Sequence, residues 1–234
     1  MFTGAGVSTE SGIPDFRSPG GIWSKYDPED FTIQRFLSSL DARKAFWKVF
    51  AEGELLTEAE PNPAHYAIAE LHQLGKLDCV ITQNIDNLHQ KAGVPEDRVL
   101  ELHGNMQWVV CLGCRSRFPL LQILQKVKGG IEVPDCPDCQ GILKPDVVFF
   151  GEALPQETLR EATCRAQNCD LFIVIGSTLV IYPAAYMPTY AGEAGATLAI
   201  VNLTTTPLDH YAAVVIQGKA GDIMPRVMER VRLF

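Results

Sequence analysis

Two Cys-x-x-Cys pairs, Cys111 with Cys114 and Cys136 with Cys139, stand 21 residues apart and constrain this chain more than any other feature. Two thiolate pairs on tight turns supply a tetrahedral site of four sulfurs, which favours zinc or, less often, iron. Four protein ligands leave no open position, so the metal is expected to be structural. Cys136-Pro137-Asp138-Cys139-Gln140-Gly141 reads as a knuckle-like turn, with the glycine available for a left-handed position. Cys79, Cys164 and Cys169 are left over, and their expected state is that of buried or idle thiols. Seven cysteines, an odd number, with four in metal spacing, suit a reducing cytosol better than a disulfide framework.

Around this module the chain alternates short apolar runs with amphipathic ones. Cys79-Val80-Ile81 reads as a strand buried on both faces, and Arg98-Val99-Leu100-Glu101-Leu102 as a second. Asp41–Glu52 carries Ala42, Ala45, Phe46, Val49 and Phe50 at helical spacing, within a helical stretch from Asp27 to Leu74. Pro63 suits a first helical turn, with Ala64, Ala67, Ile68, Leu71 and Leu74 as the apolar stripe behind it. Further helices are expected at Asn87–Ala92, Pro155–Gln167 and Pro183–Gly192, with strands at Asp170–Ile175, Thr197–Asn202 and Val214–Ile216. Ile223, Val227 and Val231 line a last helix. Such alternation means a parallel sheet with right-handed crossovers, an α/β fold.

The polar residues gather where these strands end. The first strand runs into Thr82-Gln83-Asn84-Ile85-Asp86-Asn87-Leu88-His89 and the second into His103-Gly104. Ligands bind in the crevice beyond the carboxyl ends of such strands, so an amide, a carboxylate and an imidazole are offered to one place. Each has a plainer reading: His103 as a structural hydrogen-bonder, and Thr-Gln-Asn as a helix cap. Met1-Phe2-Thr3-Gly4-Ala5-Gly6-Val7-Ser8 reads as a strand end passing into a glycine turn and a helix, whose first N–H groups could meet phosphate. It lacks the third glycine of a dinucleotide fingerprint, so an ordinary strand-to-helix turn stays open. Ser11 to Trp23 is rich in glycine and proline, and its length suggests a lid; Phe16 and Arg17 side by side suit closure over a phosphate-bearing ligand.

The totals exclude several classes. A formal net charge of −8 argues against nucleic acid and favours basic partners. The apolar fraction of 47% is that of a globular protein, and no apolar run nears the ~20 residues of a membrane span. Met1 leads straight into the glycine motif, which does not resemble a signal peptide. A cytoplasmic location is the expectation.

Gly4-Ala5-Gly6-Val7-Ser8, Gly12-Ile13-Pro14-Asp15-Phe16-Arg17, Thr82-Gln83-Asn84-Ile85-Asp86 and Leu102-His103-Gly104, in this order, closely resemble the sirtuins, the NAD-dependent protein-lysine deacylases. The resemblance covers essentially the whole chain. It implies a Rossmann-like NAD-binding domain (1–20, 61–105 and 150–234) and a small helical and zinc-binding domain (21–60 and 106–149), with the cofactor and an acetyl-lysine protein or peptide meeting between them. Members of the family carry a helix and a full strand before the glycine turn, where this chain has only Met1, Phe2 and Thr3. A displaced start or a truncation is the expected reason, and restoring the strand is expected to raise the melting temperature.

By motif position the resemblance implies catalytic roles for His103, Asn84 and Asp86. The acetyl oxygen would attack C1′ of the nicotinamide ribose, and His103 would act as general base on the ribose hydroxyls. The products would be free lysine, nicotinamide and O-acetyl-ADP-ribose. Asn84 would position ribose and water, and Asp86 the nicotinamide carboxamide. Phe16 would shield the reacting carbon, with Asp15 and Arg17 beside it, while Gly4, Ala5, Gly6 and Ser8 would hold phosphate. Gln83, Ile85, Gly176, Ser177, Thr178, Asn202, Leu203 and Ala220 would complete the cofactor site. The family has Gly-Thr-Ser or Gly-Ser-Ser where this chain has Gly-Ser-Thr, a mild change that keeps both hydroxyls. Val147, Val148, Phe150 and Gly151 would pair with the substrate backbone.

The resemblance also bears on the acyl group. Relatives that favour succinyl-lysine carry a tyrosine and an arginine where Trp47 and Phe50 fall here, so neutral acyl groups are the expectation. Three rivals remain: a dehydrogenase, a mono-ADP-ribosyltransferase using the same C1′ chemistry, and a non-enzymatic zinc-ribbon scaffold.

Overall fold

A computed structural model describes residues 1–16, 18–52 and 59–233. Its strands are β1 (Phe2–Thr3), β2 (Val80–Thr82), β3 (Val99–Glu101), β4 (Gly104–Cys111), β5 (Arg117–Pro119), β6 (Leu143–Val147), β7 (Leu171–Ile175), β8 (Thr197–Asn202) and β9 (Val214–Gln217). The α-helices are α1 (Ile33–Ser38), α2 (Leu40–Glu52), α3 (Pro63–Gln73), α4 (Leu88–Lys91), α5 (Leu120–Lys128), α6 (Gln156–Gln167), α7 (Met187–Glu193) and α8 (Ala220–Val231).

Six strands form one parallel sheet in the order β3-β2-β1-β7-β8-β9. This is a Rossmann-like order, in which the strand sequence reverses between β1 and β7 and opens a crevice there. Alternation within each strand sends neighbours to opposite faces. Ile81 and Val174 join Phe2, Phe172, Ala162 and Met187 on one face, whereas Val80 and Ile175 join Ile68, Leu71, Met224 and Met228 on the other. For β2 the expectation of a strand buried on both faces is met.

A second, antiparallel sheet, β5-β4-β6, carries the four cysteines and packs against α1, α2 and α5. Its core is largely aromatic. Phe36, Phe46 and Phe149 meet with ring centroids 5.2–5.3 Å apart, and Phe46 stacks on Phe50 at 4.4 Å. The sheet is Rossmann-like with an inserted smaller helical and cysteine-bearing module, as the alternation and the resemblance implied.

Several local expectations differ from the structure. The glycine turn enters two short 3₁₀ segments, Ala5–Val7 and Thr9–Ser11, and not an α-helix. Leu74 leaves the apolar stripe of α3 as its C-cap and is 46% exposed. The stretch from Asp27 is broken into a 3₁₀ turn (Pro28–Phe31), α1, α2 and α3. The helix expected from Pro183 opens as a 3₁₀ turn and becomes α-helical only at Met187. At the knuckle, the left-handed residue is Gln140 (φ 63°) and not Gly141. Gly141 is needed for space: a Cβ there would stand 3.0 Å from Cys111 Sγ and 3.1 Å from Cys139 Sγ.

Candidate active site

The strand ends of the parallel sheet and the edge of the smaller module enclose a cavity of about 1380 Å³. Its lining takes in Gly4, Ala5, Gly6, Ser8, Asp15, Phe16, Gln83, Asn84, Ile85, Asp86, His103, Val147, Val148, Phe150, Gly151, Gly176, Ser177, Thr178, Asn202, Leu203 and Ala220. Every catalytic, cofactor and substrate-backbone residue named in the sequence therefore reaches one cavity, except Arg17, which lies outside the described residues.

His103 follows β3, and its Nδ1 lies 2.9 Å from the carbonyl oxygen of Gln83. A carbonyl only accepts, so Nδ1 carries the proton and Nε2 keeps its lone pair. Burial lowers the pKa below the ordinary 6.5, against the raising effect of the Gln83 bond. A neutral imidazole with a fixed tautomer is a base ready to accept a proton. Gln83 also reaches sideways, donating from Nε2 to Ser177 Oγ at 2.8 Å and so tying the end of β2 to that of β7.

A chain of hydrogen bonds runs behind the cavity. Asn62 N–H donates to His65 Nδ1 at 3.3 Å, which leaves the His65 proton on Nε2, 3.4 Å from Ser8 Oγ. Asn84 Nδ2 donates to the same Ser8 Oγ at 3.1 Å, and the Ser8 hydroxyl donates to Asp86 Oδ2 at 2.7 Å. The other Asp86 oxygen accepts the Leu88 N–H at 3.0 Å. The N-cap of α4 is Asn87, whose side chain makes no capping bond, so the cap expected of Thr-Gln-Asn is not formed. His65 was not apparent as a site neighbour in the sequence; its signal is the capping box that Asn62 and His65 form at the start of α3. A second buried imidazole, His89, donates from Nε2 to Thr3 Oγ1 at 2.9 Å, because the Thr3 hydroxyl is already directed at Thr82 Oγ1. Its Nδ1 is buried without a partner among the described residues. Burial lowers the pKa of His65 to about 4 and that of His89 to about 3, so both are neutral at pH 7.

The glycine turn is built differently from a free phosphate cradle. The N–H groups of Gly6, Val7 and Ser8 bond to Gly176 O, Gly4 O and Ala5 O, leaving that of Ala5 as the unpaired donor of residues 5–8 among the described residues. A Cβ at Gly6 would lie 2.8 Å from the Gly176 carbonyl oxygen, and Gly176 itself has φ 63°. These glycines let two backbones touch across the switch point. Over the cavity mouth, Trp23 packs between Phe16, Phe31 and Phe150 with centroids 5.4–5.6 Å away.

One part of the acyl expectation fails. Trp47 is fully buried in the aromatic core and does not reach the cavity; Phe46 and Phe50 line it. Successive residues on a helix point about 100° apart, so Phe46 and Phe50, four apart, share a face that Trp47 leaves.

The four cysteines converge as the spacing predicts. Their sulfurs lie within 4.8 Å of one another, with Cys111–Cys139 at 3.5 Å and Cys114–Cys136 at 3.7 Å. A zinc tetrahedron with ~2.3 Å bonds has edges of roughly 3.8 Å, so this set fits one structural zinc. The cysteines at 79, 164 and 169 are free thiols, with Cys79 buried.

The Sir2 family model matches residues 4–183, more than half of the chain. The chain belongs to the Sir2 family. Among Sir2 relatives, an NAD-dependent protein deacylase 2 of Archaeoglobus fulgidus is 49% identical over 234 residues, covering 99% of this chain and 90% of its own. An NAD-dependent protein deacetylase 1 of Pyrobaculum aerophilum is 47% identical, over 98% of this chain and 88% of its own. A solved Sir2 complex with a p53 peptide and NAD⁺ superposes with a TM-score of 0.89 at 40% identity, covering 100% of this chain and 92% of that one. Another, with a deacetylated p53 peptide and 3′-O-acetyl ADP-ribose, gives 0.89 at 42% identity, over 98% and 91%. No helix among the described residues of this Sir2 protein is long and apolar enough to cross a membrane.

Proposed function

We propose that this protein is an NAD-dependent protein-lysine deacetylase, releasing nicotinamide and O-acetyl-ADP-ribose. The observation that carries the reading is His103, whose Nε2 lone pair is set by the Gln83 carbonyl at the wall of a cavity shared with Asn84, Asp86 and the 147–151 segment. NAD fits that cavity by its size, by the Ala5 N–H left open at the glycine turn among the described residues, and by the polar strand ends at 82–86, 176–178 and 202. Bound there, it supplies an electrophilic ribose carbon with nicotinamide as leaving group.

The chain's own groups do the rest. His103 Nε2 takes a proton from a ribose hydroxyl, and the Gln83 carbonyl stabilises the imidazolium through Nδ1–H. Asp86 is held as an acceptor by Ser8 and Leu88, which orients it for the nicotinamide carboxamide. Asn84 spends one N–H on Ser8 and leaves its Oδ1 for ribose or water. Phe16, under Trp23, excludes water from the reacting carbon. Asp15, Gln83, Ile85, Gly4, Ala5, Gly6, Ser8, Gly176, Ser177, Thr178, Asn202, Leu203 and Ala220 contact the cofactor in this reading, and Arg17 joins them by motif position. Val147, Val148, Phe150 and Gly151 receive the substrate backbone. The division into 1–20, 61–105 and 150–234 against 21–60 and 106–149 is supported by the separate aromatic core of the smaller part. A four-thiol metal site is best kept in a reducing cytosol, which is the location we assign.

The test is incubation with an acetyl-lysine peptide, with and without NAD, and mass spectrometry of both products. Deacetylated peptide and O-acetyl-ADP-ribose appearing only with NAD is the expected result. ADP-ribose on the peptide, a reduced cofactor, or no NAD binding would each replace the reading with one of its rivals.

A further inference from the structure

Lys144 is the most deeply buried charged side chain of this protein among the described residues, 3% exposed, and it sits in β6, an edge strand. Its ammonium has three donors, and all three are used: on Pro145 O at 3.1 Å, Val147 O at 2.5 Å and Glu152 Oε2 at 3.1 Å. The charge also lies 4.5 Å from the centre of the Phe149 ring. Glu152 Oε2 in turn accepts the Phe149 N–H at 3.0 Å. One cation thus grips both arms of the bend from β6 to Glu152.

The placement of those carbonyls is the informative part. A Cβ on Gly104 of β4 would collide with the Asp146 carbonyl, so that oxygen faces β4. Carbonyls alternate along a strand, so those of Pro145 and Val147 face the open edge, where Lys144 covers them. An uncovered edge accepts another strand in any register. Further along, Val148 N–H bonds to His103 O, and Phe150 exchanges both of its backbone bonds with Phe31 and Ile33. What remains unpaired from 145 to 151, among the described residues, includes the Val148 carbonyl and the Gly151 backbone, both at the cavity wall. Burying an ammonium costs free energy, visible in a pKa lowered by desolvation, and an apolar residue would fill the same space more cheaply.

We propose that Lys144 is the positioning residue that sets the register of the substrate strand. By occupying the edge carbonyls at 145 and 147 and holding Glu152, it leaves the Val148 and Gly151 groups as the place where a peptide backbone can pair. The acyl-lysine is then delivered beside His103, whose own carbonyl holds Val148. This rests on the deacetylase reading above, deepening how that site receives its peptide.

The test uses full-length zinc-loaded protein and a fluorescent acetyl-lysine peptide. Lys144→Met should weaken peptide binding by anisotropy about tenfold or more and raise the peptide KM to match, with kcat at saturation and the KM for NAD within about threefold. Lys144→Arg, which can donate to the same carbonyls, should recover most of the affinity. Glu152→Gln keeps an acceptor for Phe149 and loses the ion pair, so it should show a smaller loss of the same kind. Peptide binding unchanged in Lys144→Met overturns the proposal. So does a Lys144→Met that loses zinc or unfolds while Glu152→Gln binds peptide normally, since that makes the pair purely structural. A parent protein that does not bind the acetyl-lysine peptide would defeat the deacetylase reading itself, a different outcome from a parent that binds and a variant that matches it.

Discussion

The cleft and the cysteine module solve the problem of placing side chains in opposite ways. In the cleft, position comes from backbone: Gln83, His103 and Ser177 sit at strand ends whose register the sheet has already fixed. In the module, a three-stranded antiparallel sheet is interrupted by a register shift inside β4, and four thiols and a cluster of aromatic rings hold what that sheet leaves open. The first region can lose a functional side chain and keep its shape. The second keeps its shape only through the side chains that define it.

That contrast can be broken most directly at the metal. Cys136→Ala leaves three thiolates and should cost several kcal/mol of metal-coupled stability, with zinc lost and the melting temperature well below the parent's. A variant without zinc that melts like the parent would mean that the aromatic core alone holds the module. Next in size is His103→Ala, which should lower deacetylation by about 10²–10⁴-fold while NAD binding and the melting temperature stay near the parent's. Near-parental turnover would remove His103 from the role of base, and a large drop in melting temperature would show that the cleft, too, depends on its functional side chains.

The buried imidazoles sharpen the comparison through pH. Unfolded, His65 and His89 take a proton near pH 6.5; folded, they do so only near 4 and 3. Between those values the unfolded state binds more protons, so their contribution is full above pH 6.5 and is lost as pH falls through the folded values. About 2–3 kcal/mol from each should disappear between pH 6.5 and 4, and denaturant midpoints should show less of it in a His89→Gln variant. The smallest effect concerns the acyl group. With Phe46 and Phe50 on the cavity wall, an acetyl peptide should exceed its succinyl counterpart in kcat/KM by about tenfold or more, because neither ring can pair a carboxylate. A higher kcat/KM on the succinyl peptide would show that a cation elsewhere on the wall reaches the acyl chain.

Much of the fold was legible because β2, β7 and β8 read as nearly continuous apolar runs and several crossover helices as stripes. Val80, Ile81, Val174 and Ile200 are buried as their neighbours in sequence imply. The paired cysteines were legible because spacing alone brings sulfurs together. The site residues could be named by motif, but their wiring could not. Nothing local tells that Ser8 turns its hydroxyl onto Asp86, 78 residues away, or that His65 stands behind it. The turn glycines were read as room for a ligand, yet the space they make is filled first by Gly176. The Trp47 assignment failed because a one-residue shift on a helix turns a side chain by about 100° and exchanges core for cavity.

The bond from Gln83 to Ser177 spans 94 positions, and that from Asn84 to Gly4 spans 80. Such contacts form only after long loops have closed, so the cleft is among the last parts of this molecule that a refolding chain can complete. During synthesis, a nascent chain that has emerged only as far as β6 would already hold its four cysteines and could bind metal, yet it would lack β7 and the far wall of the cleft. Metal capture should therefore precede the first turnover in time, and a stalled chain ending before Leu171 should bind zinc and remain inert.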